Sequence, residues 1–322
     1  MIETALTRMF GLRQPIVLAP MAGVAGGRLA AAVSNAGGLG LVGGGYGDPQ
    51  WLRTELAIAA ENARAPWGVG LITWATSAAA VDLALGYRPH AFMLSFGDPT
   101  PYAAAIKAAG CKLICQVQDL ATARQARDAG ADLIVAQGSE AGGHGGARAT
   151  LPLVPAVVDA VAPIPVVAAG GIADGRGLAA ALMLGAHGAL IGTRFYACTE
   201  ALGHARAKQR IVEAGGGETA RTRVFDIVRG FDWPASYTGR AIVNRFMQRW
   251  HGSEAELAAS AGTVQPAFQA AVRDGDVDTA MVWAGEGVDL IDGVDDAASL
   301  VERIGDGAEA QLRAVSSRLS AR

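Results

Sequence analysis

The sequence predicts a closed (β/α)8 TIM barrel, an α/β fold, with a C-terminal, mainly helical region set over the barrel mouth. Three observations carry this. Eight short β-branched runs alternate with Ala-rich helical stretches over the first two-thirds of the chain, roughly 20 to 25 residues apart. The runs are continuously apolar rather than alternating, the pattern of parallel strands covered on both faces. The glycines, 43 in 322 residues and close to twice the ~7% of an average protein, gather at the ends of those runs.

Taken in order, the strands are expected at 15–20, 39–44, 67–72, 91–96, 112–117, 133–137, 165–169 and 188–192. Helical patterns lie between them at 27–36, 101–109, 120–129, 152–161 and 175–184, and several stop at a glycine (Gly110, Gly130, Gly185), where a left-handed C-cap costs least. Residues 38–43, GLGLVG, satisfy the dinucleotide pattern G-x-G-x-x-G. They form the second strand instead of joining a strand to a helix, so a Rossmann site is discounted. After Phe195 the character changes: 199–257 is polar and mixed in charge, with helical stretches around 205–214 and 239–249. Trp233, Trp250 and Trp283 fall in this last third and imply a small core of its own. The ending, 297–319, is an amphipathic helix pattern. The expected division is a barrel over 1–198, a mainly helical substrate or lid region over 199–296, and a C-terminal helix within 297–322 packing back on the barrel.

Composition removes several function classes. The net charge is −3 with no basic block, so neither nucleic acid nor an anionic membrane surface is an expected partner. The most apolar stretch, 151–172, holds Asp159 and four prolines, which a membrane helix would not tolerate. Residues 1–10 carry no basic-then-apolar signal pattern. Cys111, Cys115 and Cys198 cannot make a disulfide framework, which favours a reducing cytoplasm, and the first two read as buried packing. The five histidines show no metal spacing, so no protein metal site is expected. The Ala-rich helices and the C-terminal region are compatible with a homodimer.

The chemistry concentrates where a TIM barrel keeps it, at the C-terminal ends of the strands. Strand seven ends in Ala169-Gly170-Gly171, followed by Asp174-Gly175-Arg176-Gly177 and a helix, and strand eight ends in Gly192-Thr193-Arg194. Glycines let a phosphate approach backbone N–H groups, a helix N-terminus adds a favourable dipole, and the Thr193 hydroxyl supplies one more donor. Strand six runs into a loop from Gln137 to Gly146 in which Gly142, Gly143 and Gly145 surround His144. An imidazole titrates near neutrality and suits general acid–base work, and the glycines let a flat ligand lie against the backbone beside it.

These segments together resemble the nitronate monooxygenase (2-nitropropane dioxygenase-like) family of FMN-dependent TIM-barrel oxidoreductases. The likeness is carried by PIVLAPMAG at 15–23, AAAVSNAGGLG at 30–40, AQGSEAGGHG at 136–145, and AAGGIADG at 168–175 continuing to GTRF at 192–195. A fainter match at 275–278 and 282–285 extends it through the C-terminal third. The resemblance implies FMN at the barrel mouth, with Ala19, Pro20 and Met21 along the isoalloxazine and Gln116 and Gln137 in polar reach. It implies the phosphate on Gly170, Gly171, Gly192 and Thr193, and His144 as the catalytic histidine. The implied reaction is oxidation of alkyl nitronates, with neutral nitroalkanes as further candidates, to carbonyl compounds and nitrite using O2. The alternative on the same scaffold is an NAD(P)H-dependent FMN reductase of enoyl thioesters (enoyl-ACP reductase II-like) or quinones. A flavin-free barrel holding a phosphorylated sugar or nucleotide is a third reading, opposed by the Ala19-Pro20-Met21 segment. Two departures stand out: Gly70 replaces an Asn of many relatives, and Gln116 replaces a Lys of some NADH-using ones.

Overall fold

A computed structural model describes residues 2–319 of the chain. Eight parallel strands form the barrel: Ile16–Leu18, Gly40–Gly45, Trp67–Ile72, Ala91–Ser95, Lys112–Val117, Leu133–Gln137, Val166–Ala169 and Ala189–Ile191. Each pairs with its neighbour in sequence, the eighth pairs with the first, and a bridge between Val17 and Leu39 closes the ring. All eight expected strands are present within one or two residues of their expected bounds.

Strict alternation along each strand splits the core into two. Phe92 and Leu94 face the outer helices, while Ala91 and Met93 join Val17, Leu41, Ile114, Val135, Val167 and Leu190 inside the barrel. The third strand is different: Val69 and Leu71 face outward, and its inward positions are Gly68 and Gly70. The floor of the barrel is closed by the helix Ala5–Phe10, which adds Leu6 and Phe10 to the interior cluster. Thr4 caps that helix in a capping box and ties it to the barrel through a 2.7 Å bond from its hydroxyl to the His187 carbonyl. Truncating a fully buried interior side chain such as Leu41 to Ala costs ~2–5 kcal/mol.

The region after Thr199 is less helical than its sequence suggests. The helix Ala205–Glu213 is present, but the stretch read as helical around 239–249 splits into a strand, Thr238–Ile242, and a short helix, Arg245–Trp250. That strand is the centre of a three-stranded antiparallel sheet, between Thr219–Thr222 and Gly143–Gly145. The sheet therefore joins the sixth barrel loop to the C-terminal third. A separate apolar cluster is present there, built on Phe225, Phe246, Trp250 and Phe268 with Trp283 packed against it. Trp233 does not join it; its ring turns toward the barrel mouth. The C-terminal helix Ala297–Leu319 packs on helices Gly175–Met183 and Gly27–Asn35, so close that a Cβ on Gly175 would overlap the Gly307 backbone. Residues 320–322, assigned to that helix from sequence, lie outside the described residues. No helix among the described residues is long and apolar enough to cross a membrane.

Candidate active site

A cavity of about 680 Å³ opens at the C-terminal ends of the strands, and every strand or the loop that follows it contributes to the wall. It brings together all twelve residues singled out from sequence: Ala19, Pro20, Met21, Gln116, Gln137, Gly142, Gly143, His144, Gly170, Gly171, Gly192 and Thr193. The chain leaves the first strand in a tight turn, with the amide of Ala25 donating to the Met21 carbonyl at 2.8 Å. Pro20 then lies directly on Gly70, where any Cβ would overlap the proline ring. The side chain missing from the third strand is what admits this turn.

On the opposite side, Gly170 and Gly171 both sit in the left-handed region, at φ 111° and 69°, a conformation other residues hold only under strain. Gly192 precedes the short helix Thr193–Tyr196, whose first amides have no partner within the helix. Thr193 Oγ1 accepts from the Gly285 amide at 3.0 Å, so the hydroxyl proton is left for another acceptor. One expectation fails here. The helix dipole anticipated from Asp174-Gly175 is capped by Asp174 itself, which accepts from the amides of Arg176 (2.9 Å) and Gly177 (3.2 Å). Neither Asp174 nor Gly175 reaches the cavity, so a phosphate would be left with the Gly170–Gly171 and Gly192–Thr193 turns.

His144 is held in a strand, opposite Gly239, rather than in a free loop. The Gln137 amide braces it from below, donating to the His144 carbonyl at 2.9 Å while accepting from Gln116 (3.2 Å) and Gln118 (2.9 Å). The loop leading to it is pinned by two arginines that share one acceptor. Arg221 and Arg240 both donate to the Ser139 carbonyl (3.0 Å each), and Arg221 also reaches the Gly145 (3.1 Å) and Thr238 (2.6 Å) carbonyls. Burial, with Arg240 beside it, pushes the Arg221 guanidinium down to about 10, which leaves it charged at neutral pH.

The imidazole itself has two partners that the sequence did not reveal. His144 Nε2 lies 2.8 Å from Asp226 Oδ2, with the two side chains 9% and 3% exposed. A carboxylate only accepts, so Nε2 is the donor in this bond, and in a neutral imidazole that leaves the lone pair on Nδ1. The ring stacks face to face on Trp233, with centroids 3.5 Å apart and planes at 3°. Trp233 Nε1 donates to the Tyr46 hydroxyl at 3.0 Å, and Phe96, at a left-handed φ of 65°, meets the Trp233 ring edge-on. Asp226 lies 82 positions from His144 in the short helix Val224–Arg229, and no local pattern marks it. Trp233 carried a signal, a lone Trp in a polar segment, which sequence reasoning assigned to the wrong core.

Chemistry lodged at the strand ends, around a histidine fixed by a buried carboxylate, makes the chain an enzyme of the TIM-barrel class. The comparisons narrow that class. A family model described as nitronate monooxygenase matches residues 3–80 and 73–307, and the chain belongs to this family of oxidoreductases. The nitronate monooxygenase npaC of Metarhizium robertsii is 35% identical to it, over 95% of this chain and 94% of that one. Among solved structures, FabK from Thermotoga maritima superposes with a TM-score of 0.88 at 32% identity, covering 99% of this chain and all of that one. A nitroalkane oxidase from Streptomyces ansochromogenes does so with a TM-score of 0.84 at 29% identity, over 97% of this chain and all of that one.

Proposed function

We propose that the protein oxidises alkyl nitronates, and neutral nitroalkanes by way of their nitronates, to carbonyl compounds and nitrite, with FMN as cofactor and O2 as the final electron acceptor. The single observation that carries this reading is the His144–Asp226 pair, buried and stacked on Trp233 at the wall of the cavity. A base with its lone pair oriented in a largely apolar pocket suits removal of a proton from a carbon next to a nitro group.

The family is one of flavoproteins, and the lining of the cavity supports FMN as the flavin of this reading. A Cβ on Gly143 would project into open space at the cavity, and one on Gly192 would fill the gap before Ala19 and Met21. The missing Cβ at Gly192 keeps space free beside the first strand's exit. Gly170, Gly171, Gly192 and Thr193 would hold the phosphate with backbone amides and one hydroxyl; Ala19, Pro20 and Met21 would lie along the ring system, with Gln116, Gln137 and Gly142 beside it. When bound, the flavin supplies the electron acceptor for the substrate and passes the electrons to O2.

The chain's own part is binding and proton handling. His144 Nδ1 takes the proton from the carbon of a neutral nitroalkane, and Asp226 stabilises the imidazolium that results. With a nitronate no proton needs removing, and His144 only helps to orient the anion. Trp233 and Phe96, with Tyr237 packed against both, form the aromatic side of the cavity that the substrate would meet. In this reading 1–198 is the FMN barrel, 199–296 the substrate-binding lid, and the helix from Ala297 its clasp on the barrel. The three buried, unpaired thiols accord with a cytoplasmic enzyme.

The test is an anaerobic visible spectrum of the purified protein before and after propyl nitronate and, separately, NADH. Bleaching by nitronate alone supports the proposal; a colourless protein that cannot take up FMN refutes it. A second reading, an NAD(P)H-dependent reductase of enoyl thioesters or quinones, draws on the close likeness to FabK. Bleaching by NADH alone would select it.

A further inference from the structure

The His144–Asp226 pair and four further side chains form a closed circuit of contacts. His144 bonds Asp226 (2.8 Å), whose other oxygen lies 3.9 Å from Arg229 Nη1. The Arg229 guanidinium sits 4.6 Å over the Phe231 ring, which stacks on Tyr46 at 4.0 Å. Tyr46 accepts from Trp233 (3.0 Å), and Trp233 returns to His144 by its ring stack (3.5 Å). Four members line the cavity: His144, Trp233, Tyr46 and Arg229. Asp226 and Phe231 stand behind them.

The circuit leaves two donors available. At 3.9 Å the Asp226 oxygen is too far for a hydrogen bond, so it attracts Arg229 electrostatically, and the guanidinium, which also bonds the Tyr46 hydroxyl, keeps its remaining N–H donors. The Phe231 ring supports the guanidinium by a cation–π contact. The Tyr46 hydroxyl already accepts from Trp233, so its own proton remains to donate, and burial raises its pKa and keeps it protonated.

We propose that Arg229 and Tyr46 form an oxyanion subsite that binds the two nitro oxygens of the substrate, while His144 serves its carbon. The assignment rests on the nitronate reading above and goes beyond it, since that reading names only His144 as orienting the anion. A nitronate spreads its charge over two coplanar oxygens, which an arginine fork matches and an imidazole keeping a free lone pair does not. With a neutral nitroalkane the same oxygens gain charge only as the proton leaves, so Arg229 then acts in the transition state. One residue therefore has two kinetic signatures: in KM for the nitronate and in kcat for the neutral nitroalkane.

The experiment uses the flavin-loaded enzyme and nitrate, a planar unreactive anion with the same O–N–O arrangement. Nitrate is expected to inhibit propyl nitronate oxidation competitively and to alter tryptophan fluorescence, since Trp233 touches Tyr46. Arg229→Gln should abolish both effects, raise KM for propyl nitronate by ~10–150-fold, and lower kcat on 2-nitropropane by a similar factor. Tyr46→Phe, which leaves the Asp226 contact intact, should weaken nitrate by ~2–12-fold. Arg229→Lys should recover part of the loss, because it restores charge without the fork. An unchanged nitrate constant and nitronate KM in Arg229→Gln overturn the subsite. If that variant sheds its flavin, an unchanged nitrate constant in Tyr46→Phe overturns it instead. Nitrate binding that needs Arg229, in an enzyme that does not turn over nitronate, keeps the subsite and removes the nitronate reading. Nitronate turnover insensitive to Arg229 does the reverse.

Discussion

Replacing Asp226 by Asn separates proton removal from every later step. Asp226 Oδ2 lies 2.8 Å from His144 Nε2, and both side chains are almost fully buried, so solvent screens the pair little. The substitution keeps volume and removes charge. A buried hydrogen bond to a charged group contributes ~1.5–3 kcal/mol, and that interaction is strongest once the imidazole has taken the substrate proton. At 1.36 kcal/mol per decade, the rate of proton removal should fall ~10–150-fold. The loss grows further if the asparagine turns its NH2 toward the ring, because Nε2 must then lose its hydrogen and Nδ1 gain it. A nitronate arrives already deprotonated, so its kcat should change by less than ~3-fold, the size of a modest positioning effect, while the lost charge beside Arg229 is read in its KM. The assay is oxygen uptake with nitroethane and with pre-ionised ethyl nitronate, at matched flavin content. Equal losses on both substrates would refute the argument and give Asp226 a role in the fold or in flavin retention. An undiminished rate on nitroethane would remove His144 as the base.

Three other perturbations test the frame around this pair. Gly70→Ala places a methyl group against Pro20, so the purified variant should retain less flavin and lose ~1–3 kcal/mol in urea unfolding; full flavin occupancy would show that the turn at 19–21 yields easily. Arg221→Met leaves the Gly145 and Thr238 carbonyls without their charged donor, at ~1–3 kcal/mol for each acceptor left dry, and should depress turnover on both substrates together. Burial, with a smaller contribution from Asp132, pushes the Cys111 and Cys115 thiols up to about 12, so native protein at pH 8 should resist iodoacetamide at both while urea exposes them. The same shifts set a pH dependence: below about 9 both states hold the thiol protons, whereas from 9 to about 12 only the folded state does. Stability should therefore fall with rising pH across that window, and a melting temperature unchanged between pH 8.5 and 10.5 would contradict it.

The barrel was legible because its signal is local and repeated. Each run such as 112–117 or 133–137 is apolar on both faces, and each is bounded by a residue type that says where the strand stops. The glycine turns at 170–171 and 192 were legible for the same reason, since a backbone with no Cβ leaves its mark in the residue itself. His144 could be picked out because glycines flank it. Its partners could not. Asp226 sits in a six-residue helix between Val224 and Arg229 and looks like one more solvated carboxylate; only the fold buries it to 3% exposure. The three-stranded sheet was missed because its strands are three to five residues long, and Gly143–Gly145 is nearly all glycine. Strand propensity there is poor, and the pairing is supplied by the arginines that clamp Ser139 and Thr238.

That small sheet has a consequence for how specificity can change. The glycine turns and the first strand's exit belong to the barrel, where Gly70 and Pro20 constrain each other and leave little room for variation. Much of the opposite wall comes from elsewhere: Arg229 and Trp233, with Asp226 behind them, lie in one stretch of about eight residues, and the strand that follows it pairs directly with His144. His144 is thus positioned by the same segment that lines the cavity. A change in the 226–238 stretch alters pocket shape and base orientation at once, because Trp233 is simultaneously wall, imidazole platform and donor to Tyr46. Trp233→Phe tests the coupling: it keeps a stacked ring and deletes the Nε1 donor. It should leave nitroethane deprotonation within about 3-fold while releasing Tyr46 and raising KM for the nitronate by ~2–12-fold. A deprotonation rate that falls while KM stays unchanged would show that the indole's stack on His144, and not the bond to Tyr46, is what Trp233 contributes.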